Sequence, residues 1–297
     1  MATITSKGDQ GAGIVWQEGT MWIGDVAPVN EVDEGIIAAG DKFYEVPYGA
    51  VCAEILDGGK AYFNNGTVTL NSSVNVGPAG GININNGIVV TNRGTIITNQ
   101  LTGTVTNNYG TITTNNNVVT SHNGGEIVTN ASGAVIGGIS NGAIVTSNHG
   151  TLDSCSYGTV VTNETDGVIT QTNWHVTTNN GSIPTLGSGG GQVDVNQGTI
   201  DSCDGVVLKN VGTVTLLTIN GTVYQFAGGI VSQNSNGVIN IAEVGATFLG
   251  TNAGTVQVVA ASFTNPTAAM VKKGTTFKFN TADVTGTLSG GEVIHGF

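Results

Sequence analysis

From Gly87 onward, apolar and polar positions recur in a short unit: a Gly, then often Thr, then Val or Ile two places after the Gly, then commonly Thr and Asn. "GIVVTN", "GTIITN", "GTVTNN" and "GTITTN" begin at 87, 94, 103 and 110, and the unit recurs to 254 with Asn117 and Trp174 in place of the Gly. The position two after each start is Val89, Ile96, Val105, Ile112, Val119, Ile127, Val135, Ile144, Leu152, Val160 and so on to Val256, with Thr247 its one non-aliphatic member. Strand side chains alternate faces, so such a column points inward in a stack of short strands. Single steps vary from 7 to 10 residues, but every third start falls at 87, 110, 133, 158, 181, 205, 229 and 254. Steps of 23 to 25 residues predict an all-β chain: a single-chain parallel β-helix with about three short strands per coil and about eight coils.

Residues 1–63 do not keep the period; they hold Trp16, Trp22, Pro28, Pro47 and the acidic run "NEVDEG", and read as an N-terminal docking or cap module. The β-helix is expected over 64–262, and 263–297 as a C-terminal β cap, since an open solenoid end exposes unpaired strand groups. Glycine at each start suits corners needing positive φ. Asn recurs five places after the start (Asn92, Asn99, Asn108, Asn115, Asn130, Asn163, Asn179, Asn210, Asn234). Two readings stay open for it: an amide ladder along the axis, or surface Asn in turns.

Composition narrows the class. Gly is 47 of 297 residues and charged residues only 9%, but regular Val and Ile oppose disorder. A net charge of −12 with eight Lys and Arg excludes a nucleic-acid partner, and no apolar run is long enough to cross a membrane. The N-terminus lacks a basic segment leading into an apolar run, so a cytosolic origin is expected, consistent with three free thiols, Cys52, Cys155 and Cys203.

The candidate chemistry centres on "GTLDSC" and "GTIDSC". With 24 residues per coil, Asp153 and Asp201 share one outward column two coils apart, about 9.6 Å, with Thr177 between them. That spacing is within reach of an inverting glycosidase pair, with Asp194, Asp204, Glu164 and Asp166 on nearby coils, but Trp174 is the only indole close by. The pair is read as a hydrated acidic face and the chain as non-enzymatic. Cys155 and Cys203 are too far apart for a disulfide. "GSGGGQ" at Gly187 lacks the following helix of a phosphate site and reads as a loosened corner. His122, His149, His175 and His295 show no metal-ligand spacing, and no cofactor or metal is expected. "TVT" at Thr104, "TIT" at Thr111 and "TVT" at Thr213 fall on three faces, so no ordered threonine plane for ice is expected. On the face starting at 87, the outward residues Ile88, Val90, Ile136, Val161, Val206, Leu208 and Ile230 form an apolar stripe, expected to pack against another subunit.

A non-repeating N-terminal module, a Gly/Asn/Thr-rich shaft carried by "GTIITNQLTGTVTNNYGTITTN" and a terminal β cap resemble the layout of tailed-bacteriophage fibre, tailspike and capsid-decorating proteins. The segment "EGIIAAGDKFYEVPYGAVCAEILDGGKAYF" also looks like a compact capsid-docking β module. The resemblance implies a structural protein of the virion, assembled in the host cytoplasm, commonly a homotrimer, docked to other virion proteins through residues 1–63. The alternatives are a tailspike that binds or cleaves a cell-surface glycan, and a bacterial surface adhesin.

Overall fold

An aliphatic residue at every eighth position or so is kept from water only if successive strands stack, and they do. A computed structural model describes residues 34–38, 42–56, 59–72, 81–100, 102–218, 220–227 and 229–242, together with short strands outside those ranges. Every described strand is β, and none is helical. The chain comprises two compact units, Met1–Thr151 and Leu152–Phe297. Each is a parallel β-solenoid with two sheets, in which alternate strands along the chain, up to Thr255–Val258, belong to alternate sheets.

In the first unit, Thr67–Asn71, Ile88–Asn92, Thr104–Asn108 and Val118–His122 stack in the first sheet. The second sheet stacks Lys60–Asn64, Gly81–Asn85, Thr95–Asn99, Thr111–Asn115, Glu126–Asn130 and Ile144–Asn148. In the second unit, Val168–Thr172, Ser182–Leu186, Thr199–Cys203, Thr213–Leu217 and Ile230–Asn234 form one sheet. Thr159–Asn163, His175–Asn179, Gln192–Asn196, Val206–Asn210, Thr222–Phe226 and Val238–Ala242 form the other.

A turn therefore contains two strands, not three. Ile82, Ile96, Ile112, Ile127 and Val145 face one another in order, at steps of 14, 16, 15 and 18 residues. The 23–25-residue regularity arose because summing three unequal steps averages their differences, whereas closure is set over two. Two strands suffice because each one bends. The position two after the start and the position five after it are both buried, with two outward residues between them, as in Thr111–Asn115. Strict alternation would bury the second and fourth. The paired positions skip the middle residue, Ile97 opposite Thr113, so the corner lies inside the strand.

The inner column behaves as its pattern requires: Val89, Ile96, Val105, Ile112, Val119, Ile127, Leu152, Val160, Ile169 and Val176 are fully buried. Among the members whose burial is described, two shift by one place, and the register shifts Thr247 likewise, with Phe248 opposite Val231. Ile136 and Val145 are buried while Val135 and Ile144 face outward, because Gly133 and Gly142, at φ 80° and 78°, each add a residue before the true starts Ala134 and Ala143. The start glycines serve close approach more than positive φ. A Cβ on Gly110 would lie 2.1 Å from the Gly94 carbonyl oxygen, and one on Gly198 2.1 Å from that of Gly181.

The five-place asparagines are ladders. In the first unit Asn64, Asn85, Asn99, Asn115 and Asn130 each donate Nδ2 to the Oδ1 of the next at 2.7–2.8 Å, the run ending on Asn148. A second ladder joins Asn71, Asn92 and Asn108, and in the second unit Asn163, Asn179, Asn196 and Asn210 repeat the arrangement. All are buried, so each amide needs its partner. The first members, Asn64 and Asn71, follow Val46 and Ile55 in their columns, and their Oδ1 atoms have no donor.

The docking-module boundary at residue 63 matches no change of architecture. Lys42–Val46, Val51–Ile55 and Lys60–Asn64 are already rungs, with Phe43, Cys52, Ile55 and Ala61 in the buried columns. The segment read as a compact docking module is thus solenoid over its described strands. Most of residues 1–33, including Trp16 and Trp22, lies outside the described residues, as does most of 263–297. Within the latter, Thr276–Phe279 pairs antiparallel with Ala282–Thr285.

Candidate functional site

Two-strand turns rearrange the expected sites. Asp153 and Asp201 do lie in one sheet of the second unit, but the strand order interposes Val168–Thr172 and Ser182–Leu186. Pro184 is flanked by pairs that set it beside Thr170 and Asp201, so three rung steps, about 14 Å, separate the carboxylates. That exceeds the separation at which two acids flank one glycosidic bond. Both side chains are exposed, whereas Cys155 and Cys203 turn inward. Burial pushes the Cys203 thiol up to about 12, Cys52 likewise to about 12, and the Cys155 thiol upward. The acids and thiols of the two hexapeptides therefore face opposite sides of the sheet.

The apolar stripe also divides. Ile136 is buried in the core. Ile88, Val90 and Ile230 lie in first sheets, while Val161, Val206 and Leu208 lie in the second sheet of the second unit. Ile88 is 47% and Leu208 38% exposed. Thr104 and Thr213 both fall in first sheets and Thr111 in a second sheet; Ile88 and Val118 flank Thr104, whereas Thr98, Thr114 and Thr129 face one another on successive rungs.

The structure gathers chemistry at a place the sequence suggested only as a loosened corner. Before the strands Thr159–Asn163, His175–Asn179, Gln192–Asn196, Val206–Asn210 and Thr222–Phe226 the chain turns a corner, and the residues there are Tyr157, Asn173, Gly190, Asp204 and Asn220. Trp174 occupies the column that Gly holds in neighbouring turns. Its indole packs against Tyr157, centroids 4.6 Å apart and planes at 39°. On the next rung a Cβ at Gly190 would lie 3.3 Å from the indole Cε3 and Cζ3 atoms, and Gly190 has φ 115°. "GSGGG" is thus the glycine-rich detour that clears an indole, not a phosphate cradle.

Beside it, Ser188, Gly190, Gly191, Gln192, Asp204, Gly205, Val206 and Asn220 line a concavity of about 400 Å³. Gln192 donates Nε2–H to Asp194 Oδ1 at 2.6 Å, and His175 Nε2 lies 2.9 Å from Asp194 Oδ2. Asp204 Oδ1 accepts from the Thr218 hydroxyl and, at 3.4 Å, from Asn220 Nδ2. Tyr157 is 61% exposed. A groove of amides, a hydroxyl and a carboxylate, whose Gly190 lies against the Trp174 indole, can bind a polar ligand through hydrogen bonds. No group of three metal-ligating side chains occurs among the described residues. His175 and Asp194 lie 19 positions apart, and only the two-strand turn makes them neighbours, which is why spacing did not reveal them.

No protein-family model, curated protein or solved structure matches the chain.

Proposed function

We propose that the chain is a non-enzymatic structural protein of a virion surface, a β-solenoid shaft attached through its N-terminal region and assembled as a homotrimer. The observation that carries the non-enzymatic part is the three-rung separation, about 14 Å, of Asp153 and Asp201 across Thr170 and Pro184. The buried asparagine ladders support a role in which the fold itself is the product, since their partners are other turns of the same solenoid. The virion assignment rests on the layout of the sequence. Incubating the protein with capsular and lipopolysaccharide preparations and measuring new reducing ends is expected to give none; cleavage abolished by Asp153→Asn or Asp201→Asn would overturn the reading. Native mass spectrometry is expected to give three copies per particle, and a monomer would remove the homotrimer.

A second reading, recognition of a cell-surface glycan, is favoured by the Tyr157–Trp174 corner and its groove. Glycan-array binding lost in Tyr157→Ala and Asn220→Ala would support it; binding unaffected by either would reject it.

A further inference from the structure

The chain has seven Asn-Gly pairs, at Asn65, Asn86, Asn123, Asn141, Asn180, Asn220 and Asn236. Asparagine before glycine is the sequence most prone to spontaneous deamidation, because no side chain impedes the following backbone nitrogen. In the reaction that nitrogen loses its proton to water or hydroxide and attacks the asparagine Cγ. The new N–C bond forms as the Cγ–Nδ2 bond breaks, and ammonia leaves with the proton it gains from solvent. Water then opens the succinimide at either carbonyl, giving aspartate or isoaspartate. The reaction thus needs an accessible amide and a free backbone N–H.

The fold withholds these at most of the seven. The N–H groups of Gly66 and Gly87 donate to Val46 O and Asn64 O at 3.1 and 2.8 Å, and Gly221 N–H donates to Thr218 O at 3.0 Å. Asn180 is half-buried with Gly181 buried beside it, and Asn123 is half-buried with Oδ1 accepting from Ser140. The informative pair is Asn141 and Asn236. Both are exposed and both have positive φ, 54° and 71°. Gly237 N–H, however, donates to Asn234 Oδ1 at 2.8 Å. Gly142 lies at the tip of a turn closed by Ala143 N–H donating to Ser140 O at 3.1 Å, has φ 78°, and a Cβ built on it meets nothing within 4 Å.

We propose that Asn141 is the modification site of this chain: the asparagine that the folded protein converts first, adding a carboxylate to a chain of net charge −12. The buried ladder asparagines are doubly protected, since each is followed by a residue other than Gly, as in Asn99-Gln100, Asn130-Ala131 and Asn210-Val211.

The test incubates the intact protein at mildly alkaline pH, with peptide mapping by mass spectrometry and enzymatic isoaspartate labelling over time, in buffer and in urea. In buffer the Asn141 peptide is expected to convert several-fold faster than the Asn236 peptide, and in urea the two rates are expected to converge. Asn234→Leu, which places at 234 the residue type of Leu217 on the neighbouring rung, removes the acceptor of Gly237 and is expected to raise the rate at Asn236 several-fold. Another Asn-Gly converting first in buffer, or the same ratio in buffer and urea, would overturn the proposal. Should the variant not fold, the buffer-against-urea comparison on the unaltered chain decides alone.

Discussion

The second unit has the same structural position filled in two opposite ways. Five places after the start, its second sheet presents Asn163, Asn179, Asn196 and Asn210, a ladder of amides. At that position its other sheet presents Cys155, Thr172, Leu186, Cys203 and Leu217, all buried. The backbone registers are alike, so the bent strand does not demand asparagine. Within each column most neighbours are alike, amide beside amide or apolar beside apolar, and the two kinds meet at the changeovers Asn210–Phe226 and Leu217–Asn234.

Single exchanges between the columns should therefore both be costly. Asn179→Leu leaves Asn163 Nδ2 and Asn196 Oδ1 without their ladder partners. At about 1–3 kcal/mol for each unsatisfied buried group, a loss of about 2–5 kcal/mol is expected in urea unfolding. A change below about 1 kcal/mol would mean that the ladder adds no stability beyond its shape. Leu186→Asn places a lone amide between Thr172 and Cys203, and about 1–3 kcal/mol is expected. If it proved neutral, the apolar column would be as permissive as solvent.

A smaller effect sharpens the comparison through pH. In the first unit the ladder Asn71–Asn92–Asn108 ends on His122, whose Nδ1 lies 3.1 Å from Asn108 Nδ2. Because Asn92 donates to Asn108 Oδ1, the Asn108 amide is oriented as a donor to His122. His122 must then accept at Nδ1 and carry its proton on Nε2, 3.0 Å from Ile144 O. Burial lowers its pKa below 6.5. A lowered histidine pKa means the unfolded chain binds the proton more readily, so this contribution to stability is complete above about 6.5 and is lost as pH falls below it. The acid decline of unfolding free energy should shrink in His122→Asn, which continues the ladder; an unchanged decline would place the titrating group elsewhere.

The smallest effect is on reactivity rather than stability. Cys155 and Cys203, two members of that column, should resist thiol reagents in the native protein at neutral pH and react on unfolding, as should Cys52. Rapid labelling of native Cys203 would show that its column opens to solvent.

Residues with a single physical requirement were legible in the sequence. The aliphatic column was read almost entirely, failing where Gly133 and Gly142 each insert a residue and at Thr247, where Phe248 stands opposite Val231, and parallel stacking followed from it. The number of strands per turn was not legible, because the bend within each strand has no residue signature: Thr111–Asn115 looks like an ordinary alternating strand until its fifth residue is seen to be buried. Everything placed by turn counting moved with it. Asp153 and Asp201 went from two rungs to three, and the stripe from Ile88 to Ile230 divided between sheets. The Tyr157–Trp174 corner was invisible for the same reason, its members being neighbours only at two strands per turn.

The number of strands per turn is also what most directly tests this account. Thr178 pairs with Val195 in the second sheet, at the rung spacing of about 4.8 Å, within the range a disulfide spans. With three strands per turn its neighbour would instead be Ser202. Oxidation of the Thr178→Cys/Val195→Cys variant should form an intrachain disulfide, detected by mass after proteolysis, while Thr178→Cys/Ser202→Cys should stay reduced. A bridge in the second variant and none in the first would contradict the two-strand turn.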